Sequence, residues 1–121
     1  MRDVIAGHGP HWRCYVVTDD TELVGFIIGR IMKDQAEIDA IVVGEGARRT
    51  GLGSALLRNF ETAALANGAE QVFLEVRVGN RRAKTFYASH GYQRYRTRHG
   101  YYTDGEDAVC LRRRLECETA G

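Results

Sequence analysis

The sequence lacks three features that mark specialised classes of protein: a paired set of cysteines, an excess of one charge sign, and a long hydrophobic run. Its 121 residues include only three cysteines, Cys14, Cys110 and Cys117, which are widely spaced and odd in number. This pattern favours free thiols in a reducing compartment over a disulfide framework. Seventeen basic and sixteen acidic residues leave a net charge of +1. The overall charge therefore argues neither for nor against a polyanionic partner.

No segment has the length or apolar character of a membrane span or a signal peptide. The most apolar stretch, residues 23–31, is interrupted by two glycines, and a polybasic tail is also missing. The hydrophobic fraction of 44% and the charged fraction of 27% are ordinary for a globular protein. We therefore expect a single domain over residues 1–121, located in the cytoplasm and without membrane association.

The N-terminal half of the chain predicts a small antiparallel sheet. Residues 1–13 show no clear periodicity, so we predict an irregular segment there. Apolar runs separated by turn-forming pairs follow, and such short connections predict three strands in an antiparallel meander. These strands cover residues 14–17, 23–32 and 36–43.

The C-terminal half predicts helices alternating with strands. An amphipathic helix begins near residue 51, and Asn67 and Gly68 end it. A buried strand follows, so the third strand, this helix and the new strand form a βαβ unit with parallel strands and a right-handed crossover. A second helix and a hairpin complete an α/β fold with a mixed sheet. These last elements cover residues 72–78, 81–90, 92–98 and 107–114.

The stretch over residues 46–55, G-A-R-R-T-G-L-G-S-A, lies where the third strand leads into the first helix. A helix start presents free backbone N–H groups and the positive end of the helix dipole. Glycines let the backbone approach a ligand closely, and Arg48 and Arg49 can donate hydrogen bonds to phosphate oxygens. The stretch predicts a phosphate or pyrophosphate site, with solvated loop charge as the alternative for the arginines.

Two common glycine motifs do not fit this stretch. A P-loop needs Lys and Ser/Thr where Leu52 and Gly53 stand, so no side chain would reach the outer phosphates or Mg²⁺. A dinucleotide fingerprint needs a third glycine where Leu56 stands. The anion site therefore belongs to neither class.

The order of elements, with R-R-T-G-L-G between a strand and a helix, resembles the GNAT superfamily of acyl-CoA-dependent N-acetyltransferases. Arg48, Gly51 and Gly53 match its signature, Arg/Gln-x-x-Gly-x-Gly/Ala. Other stretches are similar to the RimI-like branch, which acetylates protein N-termini. They are L-E-V-R at 74–77, Asn80, F-Y at 86–87, G-Y at 91–92 and Y-Y-T-D-G-E-D-A at 101–108.

This resemblance implies a GNAT-like fold that uses acetyl-CoA as cosubstrate and needs no metal. The diphosphate would lie on the loop and the helix start. The pantetheine arm would pair with the edge of the preceding strand, which carries a bulge in this family. The resemblance implies cosubstrate contacts at Ile41, Val42, Val43, Arg48, Arg49, Thr50, Gly51, Leu52, Gly53, Ser54, Asn80 and Tyr87.

Glu75 is the candidate general base. It lies in the middle of a strand among apolar neighbours, so partial burial beside a cleft would raise its pKa and suit it to accept a proton from an amine. The resemblance places a base at this position too. The alternative is a surface carboxylate paired with Arg77.

Tyr87 is the candidate general acid. It resembles the family's tyrosine near the thioester sulfur, and a phenol there can donate a proton to the departing thiolate. The alternative is an ordinary core aromatic. Polarisation of the thioester carbonyl would come from a backbone N–H near Val43. Tyr101 and Tyr102 are candidates for the acceptor side, with unpaired loop aromatics as the alternative.

The acceptor implied by the resemblance is the α-amino group of a protein. A small-molecule amine or a lysine is an alternative within the enzyme class, and a catalytically idle acyl-CoA-binding or interaction module is an alternative outside it. Arginines at 94, 96, 98 and 112–114 could form a nucleic-acid patch. Because no RNA-binding aromatic motif accompanies them, a solvated sheet face is favoured and a nucleic-acid partner is not expected.

The pattern departs from the family at its start. Members of this family usually have a strand and two helices before the first hairpin, and the thirteen residues that precede Cys14 are too few for that set. We therefore expect one of three situations: the chain is a fragment, it has a shortened N-terminus with a more open acceptor groove, or a homodimer covers the gap. The last is an option because exposed apolar surface tends to find a partner.

Overall fold

The computed structural model describes residues 2–20, 22–48 and 50–116, and for residues 2 and 3 it describes the backbone alone. These residues form seven β-strands, two α-helices and one short 3-10 turn. In chain order they are β1 (Arg2–His8), β2 (Trp12–Asp19), β3 (Glu22–Met32), β4 (Gln35–Val43), the turn Glu45–Ala47, α1 (Leu52–Ala66), β5 (Gln71–Arg77), α2 (Arg81–Ser89), β6 (Gln93–Arg98) and β7 (Ala108–Arg114).

The N-terminal segment is a strand, so the prediction of an irregular region over residues 1–13 was wrong. β1 pairs antiparallel with β2 along its whole length. Its side chains give little periodic signal because few of them are buried, and Val4 and Ile5 are 57% and 58% exposed. The hydrogen-bonded ladder with β2 therefore positions this strand, rather than burial of its own side chains. Only residues 9–11 separate the two strands, so no helix lies between them.

All seven strands form one mixed sheet in the order β1-β2-β3-β4-β5-β7-β6. β1 to β4 form an antiparallel meander, and β4 and β5 pair in parallel, which confirms the predicted meander and βαβ unit. β6 and β7 form the predicted antiparallel hairpin. However, β7 lies between β5 and β6, so β5 pairs with the later strand of that hairpin along seven residues.

Both helices pack on the same face of the sheet. α1 buries Leu56, Leu57 and Phe60 there, and full burial of such side chains stabilises the fold by about 1.5–3 kcal/mol each. A Cβ at Gly29 would lie 2.6 Å from the Phe60 ring, so glycine allows α1 to approach β3 closely. α2 joins this layer through Phe86, whose ring lies 3.3 Å from a Cβ built at Gly53.

No helix of the described chain covers the other face of the sheet, which we call the open face. Alternate residues of β5 are buried under the helices, whereas Glu75 and Arg77 point to the open face. Neither described helix is long and apolar enough to cross a membrane. Large exposed apolar side chains on the open face include Ile5, Trp12, Met32 and Val42.

Candidate active site

A cleft opens where β4 and β5 separate. The two parallel strands pair only at their first three residues, from Gln35 opposite Gln71 to Glu37 opposite Phe73. Beyond these pairs the strands leave between them a cavity of about 780 Å³. Its walls include residues of the helix-covered side as well as residues of the open face. The cleft therefore connects the start of α1 with the open face of the sheet.

The start of α1 and the residue Arg48 form one end of this cleft, which we call the anchor end. Gly51 is the N-cap of α1, with a left-handed φ of +82°, and no side chain caps the helix. The first backbone N–H groups of α1 therefore remain available to a ligand. The Arg48 side chain is 45% exposed and makes only a long ion pair, 3.9 Å, with Glu45. Such an arrangement suits an anion with several oxygens.

The remaining predicted anchor residues are placed in different ways. Leu52, Gly53 and Ser54 lie on the wall of the cleft. The Ser54 hydroxyl lies 2.9 Å from Nε2 of His90, which joins the first turn of α1 to the end of α2. Thr50 is not on the wall, and its hydroxyl donates a hydrogen bond to the Ala47 carbonyl in the preceding turn. Arg49 lies outside the described residues.

The edge of β4 supplies backbone groups to the cleft. The N–H of Gly44 donates to the carbonyl of Val24 at 2.8 Å. Since hydrogen-bonded pairs alternate along an antiparallel ladder, Val42 faces β3 with its backbone groups, whereas Ile41 and Val43 turn theirs toward the gap. All three residues line the cleft. A shift in the register with β3 leaves Asp39 as an extra residue, so the strand carries a bulge.

Glu75 lies at the other end of the cleft, which we call the reaction end and which also contains Tyr87 and Tyr102. Partial burial raises the pKa of Glu75, and the nearby carboxylates of Glu37 and Asp39 raise it further. The guanidiniums near Glu75 oppose this shift only in part. Glu75 forms no ion pair with any described residue. The combination gives a carboxylate that accepts a proton more readily than an exposed glutamate does.

Arg77 does not pair with Glu75, so the alternative of a surface ion pair between them is wrong. Its guanidinium donates to Asp104 at 2.8 Å and to Glu106 at 2.9 Å. It also lies 4.1 Å from the centre of the Tyr102 ring. Glu106 accepts a further hydrogen bond from the N–H of Gly79, at 3.0 Å. Arg77 therefore ties the loop between β6 and β7 to the end of β5.

The two candidate acceptor tyrosines in this loop occupy different places. Tyr102 lies on the wall of the cleft, and burial raises the pKa of its phenol. Tyr101 is 47% exposed and is not on the wall. The Tyr101 ring packs against the Tyr102 ring, with 5.0 Å between their centres. The guanidinium of Arg98 lies over the Tyr101 ring, 5.5 Å from its centre. Of the pair, Tyr102 is therefore the one that a ligand in the cleft would meet.

Tyr87 enters the cleft from α2 and is 4% exposed. Its ring packs in the core against Phe86 at 5.2 Å and Tyr92 at 5.5 Å, so the core interpretation is correct for the ring. Its hydroxyl forms no hydrogen bond with a described residue. Among the described residues, every fully buried polar side-chain atom has a hydrogen-bond partner, so an unbonded hydroxyl cannot be fully buried. The hydroxyl is therefore open to the cleft. Burial raises the pKa of Tyr87.

Asn80 lies on the wall of the cleft, and its side chain accepts a hydrogen bond from the N–H of Ala83 at 3.1 Å. It therefore caps α2 and sets the start of the helix that carries Tyr87. Arg82, Ala83 and Phe86 also line the cleft and were not predicted from the sequence. A signal was available for Ala83, which precedes Tyr87 by one helical turn and shares its face. No group of three His, Cys, Asp or Glu side chains in residues 2–20, 22–48 and 50–116 could hold a metal ion.

The chain matches known proteins over most of its length. The model of the acetyltransferase (GNAT) family matches residues 2–92. An uncharacterised N-acetyltransferase of Methanocaldococcus jannaschii is 36% identical over 99 residues, covering 80% of this chain and 63% of that protein. An N-alpha-acetyltransferase of Sulfurisphaera tokodaii is 35% identical over 110 residues, covering 80% of this chain and 66% of that protein. The chain thus spans less than two thirds of the length of these two relatives.

A solved structure has the same fold. The crystal structure of the ribosomal-protein-S18-alanine N-acetyltransferase from Escherichia coli superposes with a TM-score of 0.80 at 29% identity. The superposition covers 93% of this chain and 75% of that one. These relatives confirm the predicted GNAT-like fold and the similarity to the RimI-like branch. Because the family match includes the loop at the anchor end and both strands that form the cleft, the chain belongs to the acetyltransferase (GNAT) family.

Proposed function

We propose that this protein transfers the acetyl group of acetyl-CoA to the α-amino group of a protein N-terminus. Glu75 acts as the general base and Tyr87 as the general acid. One observation carries the proposal: a single cleft joins the anion-binding start of α1 to a partly buried carboxylate and a phenol that is open to the cleft. Binding of the diphosphate at the anchor end would leave the thioester at the reaction end.

The anchor end and the strand edge fit the parts of acetyl-CoA. The free N–H groups of α1 and the Arg48 guanidinium suit the diphosphate. The amide groups of the pantetheine arm are hydrogen-bond donors and acceptors. The backbone N–H and C=O groups of Ile41 and Val43 point into the gap between β4 and β5, where they could pair with these amides. The arm would thus act as a short strand between β4 and β5, and no side chain would need to recognise it.

Glu75 has the properties that the first step needs. An amine must be neutral before it attacks the thioester carbonyl, and an α-amino group with a pKa of about 7.7–8.0 is closer to neutrality than a lysine with a pKa of about 10.4. A carboxylate whose pKa is raised by burial accepts that proton more readily than an exposed one. The proton passes from the amine to Glu75, directly or through a water molecule.

Tyr87 acts on the departing sulfur. As the tetrahedral adduct collapses, the carbon–sulfur bond breaks and the electron pair moves to sulfur, which then needs a proton. Because burial raises the pKa of Tyr87, its phenol stays protonated across the neutral range and always offers a donor. The same shift disfavours a free tyrosinate, so the phenol gives its proton to sulfur only as the carbon–sulfur bond breaks, and solvent then returns a proton to Tyr87. The N–H of Val43 is the proposed donor to the carbonyl oxygen.

The relatives support a protein N-terminus as the acceptor. One is named an N-alpha-acetyltransferase, and the solved structure is that of an enzyme named for an alanine of a ribosomal protein. The open face would admit a polypeptide, because no described helix covers the side from which Glu75 is reached. A small amine would use only part of this surface.

The test measures the release of free thiol from acetyl-CoA by the purified protein, with three classes of acceptor. These are peptides with a free N-terminus and no lysine, the same peptides acetylated at the N-terminus but carrying a lysine, and small polyamines. We expect turnover with the first class alone, with the acetyl group found on the α-amino nitrogen by mass spectrometry. Turnover only with the lysine peptides or the polyamines would contradict the proposed N-terminal acceptor. CoA binding without turnover would contradict the proposal that the protein is an enzyme.

A further inference from the structure

Four arginines on β6 and β7 lie beside the reaction end and form what we call the basic strip: Arg96, Arg98, Arg112 and Arg114. All four are exposed. None forms an ion pair with a carboxylate among residues 2–20, 22–48 and 50–116, whereas Arg113 on the same strand pairs with Glu61 at 2.9 Å. Four guanidiniums on two adjacent strands, with no carboxylate partner in the described part of the chain, produce a positive potential over this part of the open face.

The strand register places the basic strip on the same face as Glu75. Glu75 is opposite Cys110, and Cys110 is opposite Arg96, so these three side chains form one row across β5, β7 and β6. Arg112 is opposite Phe73, one residue pair further along β5 on that face. Arg94 is opposite Leu111, which is buried under the helices, so Arg94 belongs to the other face.

The opposite flank of the reaction end carries the opposite charge. On β3 and β4 the Arg30 guanidinium contacts two carboxylates, Asp39 at 3.0 Å and Glu37 at 3.2 Å. One positive and two negative groups leave this flank with a net charge of −1. Glu75 therefore lies between an acidic flank and the basic strip. An incoming ammonium is attracted to the Glu75 side, and negative groups that follow it are attracted to the strip.

Aromatic rings hold two members of the basic strip in place. The Arg112 guanidinium lies 4.8 Å from the centre of the Tyr95 ring, and that ring packs edge-on against Phe73 at 5.8 Å. The Arg98 guanidinium lies 5.5 Å from the centre of the Tyr101 ring. An arginine already packed on a ring loses less conformational freedom when it binds a carboxylate. Arg98 and Arg112 are thus partly ordered before a ligand arrives.

We propose that the acceptor is an acidic N-terminal segment, whose amine lies at Glu75 and whose carboxylates bind the basic strip. This inference rests on the proposed acetyl transfer to an N-terminus. Adjacent strands are about 4.8 Å apart, so β6 lies roughly 10 Å from β5. An extended peptide advances about 3.3 Å per residue. The acidic side chains therefore belong at about the third to fifth positions of the acceptor.

The experiment compares acceptor peptides that share their first two residues and differ at positions three to five. These positions carry aspartate and glutamate, asparagine and glutamine, or lysine methylated to remove its reactivity. We expect kcat/KM to be about tenfold higher for the acidic peptide than for the neutral one at low salt, and lower still for the basic one. The preference shrinks as salt rises, because exposed charges are screened.

Two variants locate the effect. Arg96→Glu with Arg112→Glu is expected to reverse the preference between acidic and basic peptides, and the neutral pair Arg96→Gln with Arg112→Gln is expected to abolish it. Arg98 is left unchanged because its charge acts on the pKa of Glu75. Arg94→Glu is the matched control, with the same change of charge on the same strand but on the other face. It is expected to leave the preference unaltered.

Equal kcat/KM for all three peptides would overturn the proposal while leaving N-terminal acetylation intact. A preference that Arg94→Glu alters as much as the double variant would also overturn it. Absence of turnover with every peptide would instead contradict the proposed function itself. A different outcome would assign the basic strip to nucleic acid. In that case the three peptides are used equally, and single-stranded RNA inhibits the wild type but not the double variant Arg96→Glu with Arg112→Glu.

Discussion

The two ends of the cleft are built in different ways. The anchor end consists of neighbouring residues in the chain, and the groups proposed to bind there are backbone N–H groups at Gly51–Ser54 together with one arginine. The reaction end combines side chains from β5, α2 and the loop before β7. The first end depends on local backbone conformation, and the second depends on how distant elements pack. We therefore expect that substitutions can disturb binding and chemistry separately in this protein.

Substitution of the base should produce the largest effect and should leave the anchor end intact. We expect Glu75→Gln to lower kcat by about 10²–10⁴-fold near pH 7, with the Kd for CoA unchanged. The deficit should shrink above pH 8, because the acceptor amine then loses its proton without help. Glu70→Gln, an exposed carboxylate just before β5, is the matched control. Unchanged turnover across this pH range would remove Glu75 from the mechanism.

The thermal stability of Glu75→Gln tests whether the carboxylate of Glu75 stabilises or destabilises the fold. Folding raises the pKa of Glu75, so the folded state disfavours its ionised form. This destabilisation is present above the folded-state pKa and is lost as the pH falls below the pKa of the unfolded chain, about 4.3. Glu75→Gln should therefore raise Tm by about a degree or two at pH 7 and by less at pH 4. A lower Tm at pH 7 would indicate a structural role.

Removal of the Tyr87 hydroxyl should produce the next largest effect. Tyr87→Phe keeps the ring packed in the core, and we expect kcat to fall by about 100-fold with little change in the Kd for CoA. Tyr15→Phe, on β2 away from the cleft, is the control for loss of a phenol. A loss confined to KM would contradict the role at the sulfur.

At the anchor end the effect should fall on binding instead. Arg48→Ala removes one charge-assisted contact with the diphosphate, so we expect the Kd for CoA to rise about tenfold while kcat at saturation stays within twofold. Calorimetry or a fluorescence titration measures the difference. Arg58→Ala, an exposed arginine further along α1, provides the comparison. An equal change in both variants would show that overall charge matters more than this contact.

The smallest effect should come from the backbone of the anchor end. Gly51→Ala places a side chain at φ +82° with no neighbour within 4 Å of its Cβ, so only backbone strain opposes it. We expect a loss of about 1 kcal/mol in the free energy of unfolding, measured by urea denaturation. CoA binding should weaken no more than about fivefold. A stable variant with wild-type binding would mean that the left-handed cap is not needed.

The anchor end could be predicted from the sequence because its physics is local. Gly51, Gly53 and Arg48 lie within six residues, and the helix pattern that follows fixes which N–H groups are free. Thr50 shows the limit of this reasoning, since it belongs to the same stretch but turns its hydroxyl to the Ala47 carbonyl. Its direction depends on the preceding turn, which spacing does not reveal.

The reaction end was predicted in part, through residues that resemble a family. Glu75 and Tyr87 lie in one cleft, and their roles stay predictions. The partners of Arg77 were not foreseen because they follow it by 27 and 29 residues. β1 was missed for a related reason, because its place depends on the ladder with β2 rather than on its own side chains. A single sequence carries little information about which distant residues pair with one another.

The position of β7 has a consequence for how the protein is made. β7 lies between β5 and β6, although both precede it in the chain. On the ribosome, β5 and β6 therefore emerge before the strand that joins them, since synthesis proceeds from the N-terminus. Until residues 108–114 are added, β5 is a sheet edge with unpaired backbone groups. The nascent chain thus contains the whole anchor end early, whereas the strand beside Glu75 is paired on both sides only after β7 has been added.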